Sequence, residues 1–431
     1  MLKGVPYQQG RGHALKWNIV VFDVTMKLAI CVPPGACDCY GHLQHYADRL
    51  ADLGRRRSIE VEILHYNDGD FLARLFTNLG RDDCIVHFHS YLYDLTLRAY
   101  TVPPRIMHAL ETAKAVTLAT VSDHPFSNIM RDMIENAHPS TRFMVVDRTF
   151  PDEMRFLNPG LRETRFHYTP CVAPINFDDT IQTPFEAREW DLVLPLLVFD
   201  QSKIDMGKYL ADFPDGWAKA AAQQTYEIAV SDTSRNTFHV FAERVNAVLG
   251  GATLDDIKSH NPTILRVMLR LLDGVDGRVR HNRRHNMVRS LLRSVGDLKV
   301  AMLGHRVDSL HADKNVAFVG TCQTGQATRL MAASKAIFNC NPTYPTNIHE
   351  RVAVGMLYGS CVITDVNPGI EALFSPEHYI TYTPTSKMTI ADIFQQDDIA
   401  SIARRSAENI HAHAGFSWDA HFNDVLAAAA V

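Results

Sequence analysis

The chain has 431 residues, 46% of them apolar and 21% charged, and a formal net charge of −5. At about 150 residues per domain this is material for two or three domains of an ordinary globular protein, not a disordered one. The slight acidity excludes affinity built on general attraction to a nucleic-acid backbone, though a local basic patch can still meet an anion, and no apolar run approaches the roughly 18 residues of a membrane span.

Met1 to Lys16 carries Gln, Gly, Arg and His instead of a continuous apolar core, so residues 1–17 read as a loose arm and not a signal peptide. Residues 18–180 form the first domain. Within it short apolar strands alternate with amphipathic helices, the pattern of a doubly wound parallel sheet. Strands are predicted at Lys27–Val32, Val61–His65, Cys84–His89, Ala115–Thr120, Arg142–Val146 and Arg165–Tyr168. Leu43, Tyr46, Leu50 and Leu53 repeat at helical spacing before Gly54, as a sheet-covering helix with a glycine stop would.

Ligands of such sheets bind at the carboxyl ends of the strands. After the first strand comes Pro33-Pro-Gly-Ala-Cys-Asp-Cys-Tyr-Gly41, where Gly35 permits close backbone approach, followed by His42. The third strand ends in His87-Phe-His89, two histidines on one face that serve either as satisfied structural groups or as ligand contacts. The fourth is followed by Ser122-Asp-His-Pro-Phe126. An imidazole at a strand end with a carboxylate beside it suits proton transfer near neutrality, so His124, oriented by Asp123, is the best catalytic candidate.

A linker near residues 175–188 leads to a second domain, 185–395, opening on the strand Trp190–Phe199. Almost everything from 202 to 293 is helical in pattern, longer than one crossover requires, and reads as an insertion. Six arginines between Arg278 and Arg293 read as a solvated helix face. The sheet resumes at Lys299–Arg306 and Val316–Gly320. Gly320-Thr-Cys-Gln-Thr-Gly325 lacks the Gly-Lys-Ser/Thr of a phosphate loop, which argues against a Walker-type NTPase.

The densest pattern runs from Lys335 to Thr381. A strand (Ala336–Cys340), a polar loop, a helix opening at Asn347-Ile-His-Glu350, a second strand (Ser360–Thr364) and the turn Asp365–Glu371 make one parallel βαβ unit, with the loop from Asn341 to Asn347 placed where a phosphate can sit. Ile348, Val352 and Met356 mark the buried face of the helix, so Glu350 faces a cleft or solvent; Asn347 and Glu350 also fit a capping box, and both readings can hold together. Residues 396–431 are helices expected to cross back to the first domain.

The eight cysteines are scattered, several inside apolar strand-like runs, and imply no disulfide framework; Cys37 and Cys39 lack a second ligand pair at zinc spacing. A reducing cytoplasm and no metal are the expectations.

The run His349-Glu-Arg-Val-Ala-Val-Gly-Met-Leu-Tyr-Gly-Ser-Cys-Val-Ile-Thr-Asp365, with Glu371, Ile380-Thr-Tyr382 and the closing Phe416-Ser-Trp418, resembles the C-terminal signature of GT-B nucleotide-sugar glycosyltransferases, in particular the group-1-like, CgeB-type branch. Ser122–Phe126 resembles a turn of that family's first domain and Trp190–Phe199 the strand that opens its second. The resemblance implies two Rossmann-like α/β domains facing across a cleft, with a nucleotide-sugar donor on the second. It implies ribose binding by Glu350, base contact by the loop of Thr321, and a place beside the sugar and diphosphate for Asn367 and Gly369, with Asn347 nearby. Arg306 and Arg329 become candidates to neutralise the diphosphate. Gly35, His42 and His89 become acceptor-side candidates. The implied substrates are a UDP-linked sugar and a glycan, protein or small-molecule hydroxyl acceptor, with no cofactor, metal or nucleic acid. Many retaining members carry a second glutamate eight positions before the ribose-binding one. Pro342 stands there, which leaves a sugar-nucleotide epimerase or phosphorylase, or a non-catalytic nucleotide-sugar-binding protein, as alternatives.

Overall fold

The computed structural model describes residues 26–32, 42–89, 110–135, 137–170, 183–200, 204–232, 235–304, 306–310, 315–320, 324–340, 344, 346–396 and 398–430. The N-terminal arm, Gly35 and Thr321 lie outside them, as do the side chains of His42 and His89.

The first sheet holds β1 (Lys27–Val32), β2 (Glu60–His65), β3 (Cys84–His89), β4 (Val116–Val121), β5 (Arg142–Val145) and β6 (Phe166–Tyr168), all parallel in the order β2-β1-β3-β4-β5-β6. Its strands bury side chains on both faces, five consecutive residues of β1 among them, because each face is covered. Leu28 and Ile30 face α1 (His42–Arg56) through Tyr46 and Leu50. Ala29 and Cys31 face the opposite layer, which includes α2 (Phe71–Leu79), α3 (Asn128–Glu135) and α4 (Phe150–Leu157). Gly54 does not stop α1. The helix continues to Arg56, and Gly54 is where β2 comes closest: a Cβ there would lie 2.1 Å from Val61 Cγ2.

β7 (Trp190–Leu194) begins the second sheet. The insertion follows as α5 (Met206–Ala211), α6 (Trp217–Ser231), α7 (Thr237–Val248), α8 (Leu254–His260) and α9 (Pro262–Leu292). Then come β8 (Val300–Met302), β9 (Val316–Phe318), α10 (Thr324–Ala332), β10 (Ser334–Asn339), α11 (Glu350–Leu357), β11 (Cys361–Thr364), α12 (Pro368–Leu373), β12 (Ile380–Thr381), α13 (Ile390–Gln396), α14 (Ile399–Ile410) and α15 (Trp418–Ala430). The sheet is again parallel, ordered β12-β11-β10-β7-β8-β9. Strand order reverses between β7 and β10, and the crevice outside their carboxyl ends is where such sheets hold ligands.

The insertion lies between β7 and β8 in sequence yet packs on the first domain. Phe238 of α7 stacks on Phe126 at 4.6 Å, and Phe241, Leu265, Met268 and Leu272 join one continuous core with Phe150 and Met154. The far end of α9 enters a different core: Met287, Val288, Leu291 and Leu292 pack with β7, β8 and β10 through Leu192, Val300 and Phe338. At 31 residues α9 spans about 46 Å, a strut seated in both domains. α15 lies on the first sheet, where Phe422, Val425 and Ala428 pack beside Leu28 and Ile30.

Candidate active site in the interdomain cleft

The loop after β10 crosses to the first domain. Tyr344 donates its hydroxyl hydrogen to the carbonyl of Ser122 at 2.5 Å. Thr346 donates from its amide and hydroxyl to the buried carboxylate of Asp147, at 2.8 and 2.9 Å. Asn347, 1% exposed, donates its amide hydrogens to the carbonyls of Val146 (2.6 Å) and Pro170 (3.1 Å). Asn347 is therefore a strap between domains, with no donor left for a nucleotide. Nor does it cap the helix: α11 starts at Glu350 with His349 at the N-cap position, so the expected capping box does not form.

Glu350 stands in the first turn of α11, at the crevice beside β10, with its side chain one-third exposed (33%). Arg351 Nη2 lies 2.8 Å from His349 Nε2, and His349 Nδ1 lies 2.6 Å from Glu350 Oε2. Arginine only donates, so Nε2 accepts and Nδ1 carries the proton toward the carboxylate. Burial first, then Arg351, lowers the His349 pKa and favours the neutral ring, against the opposing pull of Glu350. Burial alone would raise Glu350, but His349 and Arg351 outweigh it and hold the carboxyl at about 2, ionised throughout the neutral range.

Gly369 and Asn367 shape the neighbouring turn without presenting side chains to the crevice. Asn367 caps α12, accepting from the Gly369 amide at 2.6 Å and donating to the Tyr344 carbonyl at 3.1 Å. A Cβ on Gly369 would lie 2.5 to 2.6 Å from backbone atoms of Asn347, so only glycine permits α12 to press against the strap.

His124 and Asp123 point in different directions, as neighbours in a turn do. His124 is 4% exposed, between Phe126 and Phe150. Its Nδ1 accepts from the Phe126 amide at 3.3 Å and its Nε2 faces Glu153 Oε2 at 3.3 Å. The expectation that His124 meets an acceptor in the cleft is therefore corrected, and its carboxylate partner is the fully buried Glu153, not Asp123. Asp123 instead has a side chain 39% exposed, 3.5 Å from Arg280 on the strut. His87 is buried against Thr120 Oγ1 at 2.9 Å, a structural histidine that burial pushes down to about 3.

The arginines are redistributed as well. Arg306 is 71% exposed and 4.0 Å from Asp308, a surface pair. Arg329 is exposed in the last turn of α10, and a helix that follows a strand runs away from the carboxyl edge, so Arg329 sits toward the opposite end of the sheet. The run on α9 is not a solvated face: of its six arginines only Arg293 is exposed. Arg280 pairs with Asp276 at 2.8 Å as well as with Asp123. Arg284 donates to the carbonyl of Leu197, just past β7, at 3.2 Å. With Arg351 these are the cleft cations that sequence reasoning passed over. A faint signal existed in Asp276, Arg280 and Arg284, a stripe at i, i+4, i+8 that puts an acid among the bases. Among the described residues no group of three or more His, Cys, Asp or Glu is placed to hold a metal, and no helix is long and apolar enough to cross a membrane.

Residues 280–427 match a family model described as glycosyl transferase-like. No curated protein matches the chain in sequence. Among solved structures, HepE of Anabaena in complex with UDP and glucose aligns over 93% of this chain and 98% of its own, with TM-score 0.50 and 11% identity. A sucrose-phosphate synthase from Thermosynechococcus elongatus aligns over 93% and 96%, with TM-score 0.47 and 12% identity. A glycosyltransferase from Rickettsia africae aligns over 94% and 98%, with TM-score 0.47 and 11% identity. At such identities the HepE likeness speaks for the fold: two parallel six-stranded sheets with flanking helices, the GT-B fold.

Proposed function

We propose that the chain is a glycosyltransferase that moves a sugar from a nucleoside diphosphate, UDP in the first instance, to a hydroxyl acceptor without a metal. The observation that carries this reading is Glu350, an ionised, partly exposed carboxylate in the first turn of α11 at the crevice where the second sheet reverses its strand order. A carboxylate there accepts hydrogen bonds from both hydroxyls of a ribose. The match of residues 280–427 to a glycosyl transferase-like model supports the class, and the UDP and glucose in the HepE structure support the donor. The signature from His349 to Asp365 favours the CgeB-like branch.

In this reading the acceptor binds on the first domain across the cleft. Asp123 is its cleft-facing carboxylate, placed to orient or deprotonate the attacking hydroxyl, while His124 holds the turn from behind through Glu153. The rate comes from positioning that hydroxyl at the anomeric carbon and from stabilising the departing diphosphate.

The test is calorimetry and thermal shift with UDP, GDP, ADP and dTDP and their glucose conjugates, on the wild type and on Glu350→Gln. The substitution should weaken nucleotide binding by about 1.5–3 kcal/mol, the range for hydrogen bonds to a charged group, measured at a temperature where both proteins are folded, because losing the depressed carboxylate also lowers the melting temperature. A wild type that binds none of these ligands sinks the reading. Unchanged affinity in Glu350→Gln removes the ribose role.

A further inference from the structure

The strut that joins the domains also carries charge to the crevice. Arg284 leaves α9 toward the carboxyl end of β7 and spends one nitrogen on the Leu197 carbonyl. Its Nε is enclosed and has no hydrogen-bond partner among the described residues. From the other side of the same crevice, Arg351 on α11 spends Nη2 on His349, and its Nη1 is likewise enclosed without a partner. An unsatisfied buried guanidinium N–H is costly, and two such groups from different elements converging on a strand-order reversal describe half of an anion site. The two cations also feel each other: burial first, then Glu350 and Arg284 acting in opposite directions, brings Arg351 down to about 10. Asp365 and Asp123 offset part of the positive charge on Arg284.

We infer that Arg284 and Arg351 together hold the diphosphate of the donor, with Arg280 as a positioning residue that ties the strut to Asp123. This rests on the proposed donor reading and adds to it which residues take the anion. Planar guanidinium forks match the paired oxygens of a diphosphate, and the partnerless nitrogens are the donors it would complete. A function for the insertion follows. Besides bracing the domains, its last helix delivers a cation to the crevice, whereas Arg306 is an exposed partner of Asp308 and Arg329 ends α10 toward the opposite edge of the sheet.

The experiment measures dissociation constants of UDP, uridine and inorganic pyrophosphate for the wild type, Arg284→Gln, Arg351→Gln and the exposed control Arg293→Ala. The expected result is a loss of 10- to 100-fold for UDP in each glutamine variant and a comparable loss for pyrophosphate. Uridine should change by less than threefold, and Arg293→Ala should match the wild type. Melting temperatures confirm folding, and if one glutamine variant fails to fold, the other and Arg284→Lys carry the test. Equal losses for UDP and uridine, or an unchanged ratio between them, overturn the assignment while leaving the donor reading standing. Failure of the wild type to bind any nucleoside diphosphate overturns both.

Discussion

Glu62 shows how one carboxylate on an edge of the first sheet is held. It lies 2.6 Å from Lys27 and 2.8 Å from Arg74, and accepts from Asn78 at 3.0 Å. Burial alone would raise its pKa, but these partners outweigh burial and hold it at about 2, against an ordinary value of 4.5. A depressed folded pKa gives stability that is fully present above the unfolded value and lost as pH falls through the folded one. Glu62→Gln should therefore destabilise the protein by about 2–3 kcal/mol at pH 7, with the gap to wild type narrowing below about pH 5 and closing only near pH 2. Urea titrations at pH 7, 5, 4 and 3 check this, and a gap that does not narrow with acid would show that Glu62 acts through packing and not charge. Glu350 is depressed in the same way at the crevice, and its position was legible in the sequence because one βαβ unit fixes where a helix begins. Its relay through His349 to Arg351 was not, because it depends on rotamers.

At the scale of elements, α9 separates two kinds of arginine. Arg283 folds back on the end of α6, donating from Nε to the Ala229 carbonyl at 2.9 Å and from Nη2 to Asp232 at 2.8 Å and Arg235 at 3.4 Å. Such a cation closes the orphan carbonyls of a helix C-terminus and complements its dipole. Arg283→Ala should cost about 2–3 kcal/mol of stability, read as a lower urea midpoint, and leave UDP affinity within twofold. Loss of UDP binding at full stability would instead place Arg283 in the crevice with its neighbour Arg284. The helical period alone gives these adjacent residues different directions, but which direction meets a helix end and which a strand end is set by the packing of α6 and β7 around α9.

For the whole molecule, α9 contributes to the core of each domain, α15 closes over the first sheet, and Asp147 with Asn347 straps the domains directly. Cores that share a helix unfold together, so calorimetry should show one endotherm, not a pair. Two resolved transitions would mean that the strut frays before either sheet melts. The same arrangement limits how far the domains can part, because opening the cleft must break buried hydrogen bonds from Tyr344, Thr346 and Asn347.

What the sequence by itself determined is local or periodic: two sheets of parallel strands, a helical block between β7 and β8, and the helix start that presents Glu350. Apolar runs bounded by turns specify buried strands, and strand-helix alternation specifies parallel order. Only the tertiary structure decided the rest. His124 beside Asp123 reads as a pair, yet the turn sends one into Glu153 and Phe150 and the other to Arg280. Asn347 reads as a cap and becomes a strap because Val146 and Pro170 present carbonyls to it. Six arginines read as a solvated face because a helical sequence records spacing and not what surrounds each side; the second domain supplied one wall and the first domain the other, and the charge between them faces the cleft.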